Sequence, residues 1–86
     1  MLKNRAMKIQ EILTIQKNVQ FGTPVFKGTR VPAAFLFEFL EDGLTIEAFL
    51  EEFPSVKHEQ TVQLLEWTNL LLKSPKMLNL YESAAG

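Results

Sequence analysis

Few residues in this chain have the types and spacing that chemistry requires. His58 is the single histidine, and there is no cysteine. A zinc site needs several His, Cys or carboxylate ligands at set spacings, and a nucleophile needs a base beside it; neither pattern occurs. The carboxylates Glu38, Glu41, Asp42, Glu47, Glu51 and Glu52 are dense enough to raise acid–base work or Mg2+ binding. They fall on polar faces and ends of amphipathic segments, where solvated charges ordinarily sit. No glycine-rich phosphate loop is present. The expectation is a protein that is not an enzyme and uses no metal or cofactor.

Binding chemistry is better represented. In Gly28-Thr29-Arg30 a tight turn presents a guanidinium, whose planar fork suits a phosphate or a carboxylate. In the alternative reading Gly28 and Thr29 shape the turn, and Arg30 pairs with an acidic residue of its own chain. Phe35, Phe37 and Phe39 alternate along one segment and cannot all face one way on a helix. A second chain covering one of them, in a homodimer, is the preferred explanation. Lys57, His58, Gln60 and Gln63 could face a DNA groove from one helix. Trp67, further along that helix, is expected in the core.

The elements that must position these residues are short. Residues 1–11 form an N-terminal arm. A β-element over residues 12–27 combines the β-branched run ILTIQ with Val25-Phe26, joined by a loop through Gly22-Thr23-Pro24. Three helices follow, over about residues 32–42, 45–53 and 58–73. Pro32 opens the first and Gly43 closes it. Thr45 caps the second, whose Ile46, Phe49, Leu50 and Phe53 repeat at i, i+3, i+4 and i+7, and Pro54 stops it. The third carries Thr61, Leu64, Leu65, Thr68 and Leu72 on one face. Residues 74–86 are a weakly patterned tail anchored by Met77, Leu80 and Tyr81. The fold class is mainly α: a tri-helical, helix-turn-helix-like domain preceded by a short β-strand or hairpin element.

Composition sets the outer bounds. The chain has 86 residues, 47% hydrophobic, which is enough for one small core and too apolar for disorder. Net charge is −1, but it is unevenly spread. Residues 1–32 hold six basic side chains against Glu11 alone, while residues 33–86 hold three against nine acidic. No run is long and apolar enough for a membrane span, and the start lacks the apolar stretch of a signal peptide, so a cytoplasmic location is expected.

The string GTPVFKGTRVP, residues 22–32, resembles the signature of the DUF433 family, in which Gly-Thr-Arg-[Val/Ile]-Pro enters a helix. Leu44-Thr45-Ile46-Glu47, the corner Glu52-Phe53-Pro54-Ser55-Val56 and the run from Glu59-Gln60 to Leu65-Glu66-Trp67 continue the match in order, covering about residues 15–70. Lys17-Asn18 departs from the Asp-Pro common in the family, and Lys57 stands where a Ser or Thr cap is usual. The resemblance implies a helix-turn-helix-like or winged-helix-like domain. It further implies an antitoxin of a type II toxin–antitoxin pair that binds and neutralises a nuclease toxin of PIN-like fold, with operator DNA as a possible second ligand. On that reading a basic residue enters the toxin's carboxylate cluster: Lys3, Arg5 or Lys8 from the arm, or Lys76 from the tail, seated by Tyr81 and its neighbours. The alternative is a DNA-binding regulator, or a non-catalytic interaction module.

Overall fold

Helix ends in this chain are set by a few side chains, and each can be traced. The computed structural model describes residues 7–85; Lys3 and Arg5 of the arm lie outside the described residues. A single turn, α1 (Ile9–Ile12), opens with the Lys8 N–H donating to Glu11 Oε1 at 3.0 Å. It runs directly into β1 (Leu13–Thr14), which pairs antiparallel with β2 (Val25–Phe26) in the register Leu13↔Phe26 and Thr14↔Val25. The hairpin was expected, but Ile12 belongs to α1 rather than to the strand, so the pairing is only two residues long.

A hairpin of that size is marginal alone. Here flanking bonds extend it. Lys27 N–H donates to the Ile12 carbonyl at 2.8 Å, Phe26 N–H to Val31 at 3.0 Å, and Ala33 N–H to Pro24 at 3.0 Å. The Gly-Thr-Arg turn closes the second of these loops. Gly28 sits at φ +82°, where a side chain is strained. Thr29 Oγ1 donates to the Phe26 carbonyl at 2.8 Å and accepts from Val31 N–H at 3.0 Å. Gly28 and Thr29 thus have an architectural role.

Helix α2 (Ala34–Glu41) begins two residues after Pro32, which is itself bridged to Val25. It ends in a Schellman arrangement: Leu44 N–H donates to Phe39 at 2.9 Å and Gly43 N–H to Leu40 at 3.0 Å, with Gly43 at φ +82°. Helix α3 (Ile46–Glu52) is capped by Thr45, whose Oγ1 accepts from Ala48 N–H at 3.0 Å. Helix α4 (His58–Leu72) has no hydroxyl cap at Lys57; Gln60 Oε1 accepts the Lys57 N–H at 2.9 Å instead. The tail is a fifth helix, α5 (Lys76–Ala85), joined to α4 through Ser74-Pro75.

The core is one cluster of Ile12, Phe26, Ala33, Leu36, Phe49, Val56 and Leu64, so the hairpin, α2, α3 and the first half of α4 each contribute. Phe49 is its hub. Its ring lies 5.9 Å from Phe26, 5.3 Å from Phe39 and 5.1 Å from Phe53, in the tilted or edge-on arrangements that aromatic quadrupoles favour. Phe35 stacks obliquely on Phe53 at 5.8 Å. The alternating phenylalanines therefore need no second chain to cover them. Phe37 and Phe39 are half-buried against their own core, and Phe35 is only slightly exposed at 37%. Helix α2 serves a wide apolar arc because its own chain packs around it.

Candidate functional site

Two surfaces proposed from the sequence meet different fates. On α4, Lys57 and His58 are exposed at the N-terminus as expected. Gln60 and Gln63, expected to face DNA beside them, are buried, with 7% and 4% of their surface accessible. Both amides are used inside the protein. Gln60 Nε2 donates to the Lys27 carbonyl at 3.0 Å while its oxygen caps the helix, and Gln63 Oε1 accepts the Met7 N–H at 3.1 Å. A buried amide must be hydrogen-bonded, and these two satisfy the hairpin and the incoming chain rather than a base edge. With them turned inward, α4 offers only Lys57 and His58 to a groove, followed at once by exposed Glu59.

Arg30 is exposed on the turn, and among the described residues it makes no ion pair, so it does not hold the hairpin to the helices. Its guanidinium is left to solvent or to another molecule. Among the described residues no group of three His, Cys, Asp or Glu side chains is arranged to hold a metal ion. No helix among them is long and apolar enough to cross a membrane.

The surface that the sequence reading missed lies at the other end of α4. Burial stops at Leu64. Trp67, expected in the core, is 38% exposed, and Leu70 and Leu72 are 51% and 62% exposed. Helix α5 makes few contacts with α4 and has no buried residue. Met77, Leu80, Tyr81 and Ala84 follow the i, i+3, i+4, i+7 spacing of one helical stripe. Of these Leu80 is 56% and Tyr81 71% exposed, so they do not seat the tail on the body as expected. Leu78 adds to the exposed apolar surface. Lys73 and Lys76 are exposed on either side of the Ser74-Pro75 elbow. The result is an apolar ledge with a basic corner. Its signal was present in the α5 spacing; the missing information was that none of the other described residues buries it.

Residues 13–67 match the family described as "Protein of unknown function (DUF433)". The chain belongs to the DUF433 family. No curated protein and no solved structure matches it. The DUF433 segment spans the hairpin, α2, α3 and α4 as far as Trp67, and so holds every buried residue among those described except Ile12. Most of the apolar ledge, from Leu70 to Tyr81, lies beyond the DUF433 match.

Proposed function

We propose that this protein is a non-catalytic docking module of antitoxin type, which binds a nuclease of PIN-like fold through the ledge on α4 and α5. The observation that carries the reading is the exposure of Trp67 and Leu70 on the second half of α4 and of Leu80 and Tyr81 on α5, beyond the last buried residue, Leu64. Several large apolar side chains left exposed near one end of a small protein suit an interaction site. Tryptophan and tyrosine are the residue types that dominate interface energetics. The resemblance in the Gly-Thr-Arg region supplies the class of partner. Lys73 and Lys76 supply the complementary charge: a PIN-like site is a carboxylate cluster that holds a divalent cation, and an ammonium placed there pairs with the acids and displaces the metal. Inhibition by occlusion follows from the same contact that gives affinity.

The test is co-expression of this chain with the product of the adjacent gene, one of the two tagged, with co-purification and growth read together. The expected result is a complex that rescues growth, and its loss in a Leu80→Glu, Tyr81→Glu double variant that is otherwise folded. A complex indifferent to that double variant would move the docking site elsewhere. Absence of any complex or toxicity would remove the antitoxin reading and favour another use of the ledge, such as a homodimer.

DNA recognition by α4 is the weaker alternative. Lys57 and His58 alone give few cations for phosphate, and each phosphate contact needs one.

A further inference from the structure

The hairpin carries a second, separate surface. Residues 12–32 contain Lys17, Lys27 and Arg30 and not one Asp or Glu. All three cations are exposed, and among the described residues they form no ion pair. Arg30 borders two neighbouring hollows. One is lined by Lys27 and the Gly28-Thr29 turn, the other by Lys17, Asn18, Gln20 and Phe21. Phe21 is completely exposed.

The backbone under Phe21 is unusual. Gln20 has φ 50° and Phe21 φ 57°, so two consecutive non-glycine residues lie in the left-handed region, held in a tight turn by Gly22 N–H to Val19 at 3.1 Å and Thr23 N–H to Gln20 at 3.0 Å. A bulky residue there is a genuine outlier. Burial does not offset the strain, because the ring it displays is fully exposed among the described residues. Strain of this kind is retained where it presents a side chain to another molecule.

We propose that the hairpin face binds single-stranded nucleic acid, with Phe21 stacking on a base and Lys17, Lys27 and Arg30 tracking the phosphates. The occupant must offer spaced anions and, between them, flat apolar groups free to stack. A single strand offers both. A duplex keeps its base faces inside, and an acidic peptide leaves Phe21 without a partner. Asn18 and Gln20, both exposed, add amide donors and acceptors that any base edge can use. Lys27 also borders the start of α4, beside Lys57 and Glu59, but the surface uses neither α5 nor the exposed end of α4, so this proposal stands or falls independently of the docking ledge.

The experiment is an NMR titration of the full isotope-labelled chain with dodecathymidine, with a duplex of the same length and with an oligoglutamate of matched charge. Expected is a response confined to residues 16–30 on adding the single strand, with affinity on the order of 10–100 µM. Three phosphate contacts give a slope of log K against log salt near −2, from about −0.7 per contact on a single strand. Phe21→Gly weakens binding roughly 5- to 150-fold, the measured range for one stacked base. The same variant raises the melting temperature, which separates lost contact from lost fold. Arg30→Gln weakens binding and flattens the salt slope. An absent response at millimolar oligonucleotide would overturn the proposal. So would a duplex or oligoglutamate that binds as tightly as the single strand, or affinity unaffected by Phe21→Gly.

Discussion

Replacing Gln60 by alanine should unfold much of this protein's margin of stability, although Gln60 is a polar residue in the first turn of a helix. The side chain makes two hydrogen bonds with opposite ends of one amide, to Lys57 N–H at 2.9 Å and to the Lys27 carbonyl at 3.0 Å, and is 7% exposed. Each bond contributes about 1 kcal/mol net, and the lost methylene about 0.8 kcal/mol. The sum is about 2–3 kcal/mol. A chain of this length has about 4–13 kcal/mol in total. At about 4–8 °C per kcal/mol for a small domain, the melting temperature falls by about 10–20 °C in a circular-dichroism melt. Gln60→Glu sharpens the test. It keeps the acceptor towards Lys57 but sets a carboxylate oxygen against the Lys27 carbonyl. Burial and that carbonyl favour the protonated form in the folded state, so the folded state binds the extra proton. Stability of this variant therefore falls as pH rises and recovers in mild acid, where the carboxyl can donate. If Gln60→Ala melts within about 2 °C of the parent, well below the shift expected for two lost bonds, the account of how the hairpin is fastened is wrong.

Four further outcomes follow from the same geometry. Phe49→Ala removes the hub of the aromatic cluster and costs about 3–5 kcal/mol, a large share of the total, seen as a much lower midpoint in a denaturant titration. Thr45→Ala loses the α3 cap and costs about 1 kcal/mol, seen as a shift in denaturation midpoint with unchanged slope. Phe21→Gly relieves one left-handed residue and stabilises by about 1 kcal/mol, measured as a higher melting temperature. Leu80→Glu with Tyr81→Glu leaves the melting temperature within a few degrees of the parent, because both side chains already face solvent, and abolishes partner binding in a pull-down.

Local signals carried the helices well. Thr45, the Ile46–Phe49–Leu50–Phe53 repeat and Pro54 set α3 where it occurs, and Gly43 stops α2 by the motif its position suggests. Gly28 and Thr29 could likewise be read as architecture from their residue types, whereas the pairing of Arg30 within its own chain is not found among the described residues. What failed was whatever depends on distant partners. Gln60 and Gln63 look like solvent-facing amides in the sequence. Their burial is decided by the Lys27 carbonyl, 33 residues away, and by Met7, 56 away. Trp67 is apolar and mid-helix, which favours a core position, but α4 outruns the elements that could cover it. Residues 74–86 hide a helix because a short amphipathic stripe says nothing about whether a neighbour exists to bury it. The left-handed pair Gln20-Phe21 gave no signal at all, since neither residue type prefers that backbone.

The last buried residue, Leu64, and the end of the family match at residue 67 nearly coincide. The buried residues among those described lie before that point, and the exposed apolar ledge lies almost wholly after it. A chain divided in this way can change what it recognises without renegotiating how it folds. Substitutions in α5 escape the packing constraints that govern Phe49 or Leu36, so the C-terminal helix can diversify as freely as a loop while keeping the rigidity of a helix. On the proposed docking role, a different α5 joined at the elbow of Pro75 would change the surface offered to a partner while leaving the buried core untouched.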